Sequence, residues 1–392
     1  MGLSPVYITN AGVIGPTGSG VAAAFDALLA GCCGLHFDTD LGAPTGPLAR
    51  DAAAQLETLS HEVDALRRLD RTALLAVAAA REATRSIDLA ALSSAGVVIG
   101  SSRGAQQSME IYYRQFLETG KSSPSMSPVT TPVTLPAAVA AERGCGGPVL
   151  SVSAACQTGA TAIGTALSLI QTGQMPAALA GGAEACLTAF TIGSLLKLKL
   201  LSERRDDYPL RSGEPDRDGM VLSEGATVCL LAGAPWLDEQ CIIPRAQVLG
   251  FTQAHERGTL TGISSDADAL RRCLRTLLEA HGQPDLIIGH LPGTVQGDAA
   301  EAQAYAELLR GVPVTGFKWS VGHMLGASAA FAVAMALEIF RAGRAPGLPF
   351  ATERNILGDI IRETKTMKAR TILVTALGFG GNASAILLKN MM

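Results

Sequence analysis

The sequence predicts an α/β enzyme built from two similar halves. Three observations predict this. Short β-branched or apolar runs alternate with Ala-rich helical runs along the whole chain. Of the 392 residues, 48% are hydrophobic and only 17% charged, the balance of a chain with a large buried core. One strand–helix unit also recurs in the second half.

In chain order, residues 6–9 read as a first strand, turning through Asn10-Ala11-Gly12 and Gly15-Pro16-Thr17-Gly18 into a helix over 21–29. A helix over 73–85 and a buried strand over 95–100 follow. The turn Gly100-Ser101-Ser102-Arg103-Gly104 lacks the Lys-Ser/Thr ending of a phosphate-binding P-loop. Residues 122–136, rich in Ser, Pro and Thr, predict irregular cover before a short helix over 137–143.

Next comes the central unit. Residues 148–152 are short and apolar and predict a buried strand. Ala160, Ile163, Leu167 and Ile170 then recur at helical spacing, with Gly173 as the C-terminal cap. Cys156 stands between them, where the first free N–H groups of a helix favour a thiolate and can hold an oxyanion. By itself, a cysteine in an apolar segment is a small core residue; the partners it finds elsewhere decide otherwise.

A strand over 177–185 and a basic cluster of Lys197, Lys199, Arg204 and Arg205 follow. The cluster is either solvated surface or a dock for an acidic protein. After an apolar strand over 227–231, Ala234-Pro235-Trp236 marks the joint, giving halves 1–235 and 236–392. The second half repeats the grammar, with strands over 246–250, 286–288, 312–315 and 371–375. Helices between strands predict largely parallel, covered sheets.

The repeated unit compares Gly147-Pro148-Val149, leading to Cys156, Gly159 and a helix ending at Gly173, with Val312-Pro313-Val314, leading to His323, Gly326 and a helix ending at Gly343. Two such helices side by side would bring Cys156 and His323 together. Of six histidines, His290 is the second in a functional setting, since it closes an apolar strand where open α/β sheets place ligands.

The net charge of −4 and the lack of long basic runs argue against nucleic acid. Eight cysteines without metal-type spacing point to a reducing cytoplasm. Residues 1–7 lack the pattern of a signal peptide, and no stretch reads as a bilayer span, so a soluble chain is expected.

Five blocks, in order, carry a resemblance. They are Ser153-Ala154-Ala155-Cys156-Gln157-Thr158-Gly159; Arg217-Asp218-Gly219 with Glu224-Gly225-Ala226; His290-Leu291-Pro292-Gly293-Thr294; Lys318-Trp319-Ser320-Val321-Gly322-His323; and Gly378-Phe379-Gly380-Gly381-Asn382. Together they resemble the β-ketoacyl-acyl carrier protein synthases of the thiolase superfamily over nearly the whole chain.

The resemblance implies a thiolase-like, five-layered αβαβα fold, a dimer, and decarboxylative Claisen condensation without metal or organic cofactor. It implies Cys156 as nucleophile, the N–H groups of Cys156 and Phe379 as oxyanion hole, and His290 and His323 as donors to an enolate. Lys318 either anchors the histidines or forms an ion pair with Glu301, and Asp298 and Glu301 are supporting residues. Thr294 and Phe379 would contact substrate, with Met109, Tyr112, Phe190 and Leu195 as candidate lining of an acyl pocket that are also ordinary core types. The partner implied is an acyl carrier protein bearing acyl and malonyl thioesters.

Two departures stand out. Leu291-Pro292 replaces the family's Gly-Thr after the first histidine, removing a hydroxyl and an N–H, and Ser223 replaces a common glycine. Two other readings compete: a non-condensing, chain-length partner subunit of a heterodimer, which typically lacks the nucleophile retained here, and an acyl-transfer or non-decarboxylative thiolase-like enzyme, a class in which thiolases generally use a second C-terminal cysteine, absent after Cys273.

Overall fold

A computed structural model describes residues 4–62, 64–256 and 267–392. Of the start over residues 1–7, the first three therefore lie outside the described residues. The first half runs β1 (Val6–Gly15), α1 (Val21–Leu29), α2 (Arg71–Ala83), β2 (Gly96–Gly100), α3 (Gln106–Thr119), α4 (Thr134–Arg143), β3 (Val149–Val152), α5 (Thr158–Gln171), β4 (Ala177–Glu184) and β5 (Gly225–Gly233). The second runs β6 (Ala246–His255), α6 (Asp268–His281), β7 (Leu286–Ile288), α7 (Val295–Leu308), β8 (Val314–Thr315), α8 (Ser328–Ala342), β9 (Thr371–Gly378) and β10 (Asn382–Asn390).

The strands lie in the order β8-β7-β9-β10-β6-β1-β5-β4-β2-β3, with the short strand Gly18–Ser19 folded back on β1. Counted within its own half, each set of five has the order 3-2-4-5-1. In each the first two ladders are parallel and the next two antiparallel. The sheet is thus mixed, not largely parallel, because β5 and β10 each return antiparallel between two neighbours. The halves join where β1 pairs β6 through Val6↔Val248, Tyr7↔Gln247 and Ile8↔Ala246.

Three apolar cores separate the layers. One, around α2 and α4, covers the outer face of the first set; one, around α6 and α7, covers the second. Between the two sets lies the third core, which holds α5 and α8. The layers therefore run helix, sheet, helix, sheet, helix. Every residue of α8 from Ser328 to Phe340 is buried. Leu325–Ala342, with mean hydropathy 1.5, is long and apolar enough by composition to cross a bilayer, contrary to the sequence reading, but 89% of it is buried inside the protein. It is a core helix.

Local chemistry sets the ends. Asp70 caps α2 by accepting the Thr72 N–H at 2.7 Å. Gly343, with φ 62°, ends α8 in the left-handed conformation that L-residues resist. Two local expectations are corrected. Within 122–136 the chain forms a helix, Met126–Thr130, and α4 already starts at Thr134. β3 is a strand but not a buried one, because it is the sheet edge and leaves Leu150 39% exposed.

Candidate active site

The site forms where α5 and α8 meet. A Cβ on Gly159 would stand 2.9 Å from the Gly326 carbonyl oxygen and 3.0 Å from Ala330 N, so the two helices touch backbone to backbone there. This contact brings the two repeated units together. Cys156 lies two residues before α5, on a sharp elbow in which Ala155 takes φ 50°. Thr158 Oγ1 closes the elbow, accepting from Ala154 N at 2.8 Å and donating to the Ala155 carbonyl at 2.7 Å.

Gly378 packs against this elbow, where a Cβ would be 3.2 Å from the Ala154 oxygen. That approach sets the Phe379 N–H near enough to the Cys156 sulfur to lower the pKa of its thiol. Burial pushes the thiol up, the largest effect; the Phe379 N–H, the Lys318 charge and the cysteine's own N–H pull it down, and Glu184 pushes it up again. The net direction is up, so the helix-mouth field expected to favour a thiolate is outweighed by burial. The same two N–H groups can stabilise a negative oxygen formed on a group attached to the sulfur.

His323 follows the short helix Lys318–Val321 and its cap Gly322. Its backbone is clamped by the strand beside it, with its N–H donating to the Val221 oxygen at 2.7 Å and its carbonyl accepting from Ser223 N at 3.2 Å. Its Nδ1 lies 3.0 Å from Ser328 Oγ. Ser223, at the position of a common family glycine, is fully buried, and its Cβ lies 2.7 Å from where one on Gly322 would stand.

His290 caps the run after β7, and its ring meets that of His323 edge-on with centroids 5.1 Å apart. Burial and the nearby Lys318 charge hold both imidazoles well below their ordinary pKa; His323 acts on His290 as well. Both rings are neutral at neutral pH, each with an N–H to donate.

Lys318 Nζ is 3.3 Å from His290 Nδ1 and also donates to the His290 carbonyl. An ammonium has only donors, so Nδ1 accepts and the His290 proton stands on Nε2. Burial lowers Lys318 to about 8, against the opposing charges of Glu301, Cys156 and Asp298. Of the two roles open to Lys318, the contact made is with His290 and not an ion pair with Glu301. Glu301 instead accepts from the N–H groups of His290 and Leu291 at 2.7 and 2.6 Å.

Asp298 accepts from Gly213 N at 2.6 Å and Gly293 N at 3.0 Å, with Arg217 Nε at 3.6 Å. Burial pushes it up to about 7. These bonds tie the Arg217 block to the histidine loop.

Cys156, His290, His323, Lys318 and Phe379 N–H thus come together from both halves. Leu195 joins them, packed in one buried cluster with Cys156, Ile192 and Leu325. Met109 and Phe190 do not: they are 46% and 67% exposed, so neither is core, and Tyr112 shares the exposed helix α3 with Met109. Thr294 uses its hydroxyl to cap α7, accepting from Gly297 N at 3.2 Å. In the basic cluster, Arg204 pairs with Asp206 and Asp216, and Arg205 stacks on Phe37 at 3.8 Å. Lys197 and Lys199 remain exposed.

Sequence reasoning missed Glu184. Fully buried at the end of β4, it accepts from Ser101 Oγ at 2.7 Å, Ser102 N at 2.9 Å, Arg103 N at 3.0 Å and, from the other half, Gly326 N at 3.0 Å. Its signal was a lone carboxylate ending an apolar strand. Among the described residues no group of three or more His, Cys, Asp or Glu is arranged to hold a metal.

The family model for the beta-ketoacyl synthase N-terminal domain matches residues 4–234, and that for the C-terminal domain matches 245–349. Among curated proteins, a 3-oxoacyl-[acyl-carrier-protein] synthase 2 of Coxiella burnetii is 28% identical, covering 98% of each chain. One of Staphylococcus aureus is 27% identical with the same coverage. Solved structures of similar fold include a type II PKS ketosynthase in complex with its acyl-carrier protein, at TM-score 0.88 and 22% identity. The ishigamide ketosynthase/chain length factor gives 0.89 and 23%. Both alignments cover 99% of this chain and 100% of the other. The fold is thiolase-like.

Proposed function

This chain belongs to the β-ketoacyl synthase family, and from that premise we propose that it joins an acyl group held on Cys156 to a malonyl unit carried by an acyl carrier protein. The observation that carries the reading is the edge-on pair of neutral imidazoles, one of them in contact with Lys318, whose charge also reaches the buried Cys156 thiol.

In the first half-reaction the Cys156 sulfur attacks the acyl thioester of the carrier. The N–H groups of Cys156 and Phe379 hold the tetrahedral oxyanion, and the proton lost by Cys156 ends on the departing carrier thiol. In the second, the malonyl carboxylate leaves as carbon dioxide, and the electron pair it releases forms an enolate. The Nε2–H of His290 and an N–H of His323 donate to the enolate oxygen; neutral donors suit this, because they stabilise the anion without protonating its carbon. The carbanion attacks the acyl-Cys156 carbonyl, the C–S bond breaks with its electron pair on the Cys156 sulfur, which takes a proton from water to restore the thiol, and a β-ketoacyl carrier two carbons longer departs.

Lys318 keeps His290 in the donating tautomer, and Asp298 and Glu301 fix the loop that carries it. Leu195 lines the acyl end near the sulfur. Thr294, as a helix cap, retains little freedom to hold substrate, and Pro292 offers no N–H; carrier-arm binding therefore rests on other groups. The exposed Lys197 and Lys199 form the carrier-docking face, and charge reversal at both would weaken turnover by raising KM for the carrier.

The division at 235/236 follows the repeat of strand order, the first half supplying Cys156 and the second both imidazoles. A paired subunit, identical or related, fits the exposed β3 edge and the apolar side chains of α3. All eight cysteines are free, which suits a reducing cytoplasm.

The test is mass spectrometry of the protein incubated with acyl carrier protein thioester and then malonyl carrier protein, beside Cys156→Ala. The expected result is an acyl adduct on Cys156 that disappears as the β-ketoacyl product forms, with neither in the variant. An adduct that forms only when a related subunit is added would establish the heterodimer. No adduct under either condition would overturn the assignment.

A further inference from the structure

Leu291 stands in a conformation that leucine avoids. Its φ of 43° lies in the left-handed region, where Cβ crowds against the backbone. Its side chain is buried and fits only because Gly289 and Gly316 leave room; a Cβ on either would stand 2.7 Å from a Leu291 carbon. Such strain persists where the surroundings over-determine it.

The His290–Leu291 turn is held at every backbone polar atom. The two N–H groups donate to the two oxygens of Glu301 at 2.7 and 2.6 Å, the Leu291 carbonyl accepts from Ser212 Oγ at 2.8 Å, and the His290 carbonyl accepts from Lys318. Glu301 is the hub of this set, and it has two further donors. The Tyr305 phenol donates to its Oε1 at 2.5 Å, and Thr375 Oγ1 donates to the same oxygen at 3.1 Å. Tyr305 and Thr375 are themselves 2.7 Å apart.

All three side chains are buried, so no solvent competes for the carboxylate. Tyr305 lies four residues after Glu301 on α7, which places both side chains on one face of the helix. Burial pushes Glu301 up, and the Tyr305 bond is the largest of the effects that pull it back toward the carboxylate.

We propose that Tyr305 is a positioning residue: its phenol holds Glu301 against the strained His290–Leu291 peptide and so keeps the His290 ring aimed beside Cys156. This rests on the condensation reading given above. Because His290 serves the malonyl step and not the uptake of the acyl group, loss of the phenol acts on one half-reaction only.

The experiment measures both half-reactions on the full chain for wild type, Tyr305→Phe, Glu301→Gln and the double variant: acylation of Cys156 by a hexanoyl carrier thioester, read by mass spectrometry, and carbon dioxide release from malonyl carrier protein. A melting curve for each variant reports folding, and Thr375→Val, which removes the weaker donor, serves as a second probe. Y305F is expected to acylate at the wild-type rate and to release carbon dioxide about ten- to a hundredfold more slowly, the range for a lost hydrogen bond to a charged group. T375V shifts the same step less. In the E301Q background, Y305F adds no further loss, because the two act through one carboxylate.

Equal loss of both half-reactions in Y305F, or a loss that adds fully to that of E301Q, would mark a general structural role and overturn the proposal. A wild type that condenses beside a Y305F equally fast overturns this inference alone. A wild type that takes up no acyl group overturns the condensation reading, and this inference with it.

Discussion

At the scale of single residues, Lys318 sets the pH dependence. Its ammonium is present below about 8 and lost above it, since burial has lowered it from the ordinary lysine value. Below that pH the charge keeps His290 Nδ1 as acceptor and the proton on Nε2; above it, the neutral amine no longer enforces that tautomer. The rate of carbon dioxide release should therefore fall as pH rises through about 8, and Lys318→Met should give a lower plateau without that alkaline limb. A limb unchanged in K318M would assign it to another group. Ser328→Ala, which removes the partner of His323 Nδ1, should slow the same step by about fivefold, the worth of about one kcal/mol of hydrogen bond. Cys156, His290 and His323 were legible in the sequence because reactive residue types stand at the ends of apolar runs. Glu184, Tyr305, Ser328 and Thr375 were not: Glu184 receives Gly326 N from 142 positions away and Tyr305 meets Thr375 from 70 away, and no periodicity marks such pairs.

At the scale of elements, the contact between α5 and α8 is the joint on which the site depends. Gly159→Ala places a methyl 2.9 Å from the Gly326 oxygen and 3.0 Å from Ala330 N, so the helices must part. Overpacking of this kind costs about 1–3 kcal/mol, and a lowered Tm together with slower acylation of Cys156 is the expected outcome. Asp70→Ala removes the cap of α2 and also the acceptor for Ser108 N at 3.1 Å; a loss of about 1–2 kcal/mol in urea unfolding is expected. Helices α1 and α5 and strand β7 were legible from apolar spacing and bounding glycines. The exposure of β3 was not, because a run such as Val149-Leu150-Ser151-Val152 announces a strand without saying whether a neighbour covers it. Nor was the antiparallel return of β5 and β10, since short apolar runs carry no direction.

At the scale of the whole molecule, α3 has no buried residue and exposes Met109, Ile111, Tyr113, Phe116 and Leu117 near the free edge of β3. Such a patch calls for a cover. We expect sedimentation to show a dimer at micromolar concentration and Leu117→Glu to shift it to monomer; a wild type that sediments as a monomer would remove the paired subunit from the reading. The repeat of two halves was legible from the Pro-Val units, yet their union through β1 and β6 was visible only in three dimensions. That union has a consequence for synthesis. β1 ends at Gly15 and its neighbour β5 begins at Gly225, 210 positions later (225 − 15), with β6 later still. At about 5–20 residues per second, β1 waits about 10–40 s for either of its long neighbours to be made. Throughout that time β1, paired only at its end with the short strand Gly18–Ser19, leaves most of its hydrogen-bonding groups without a partner strand, and unpaired strand edges of this kind are what make an incomplete chain prone to aggregate.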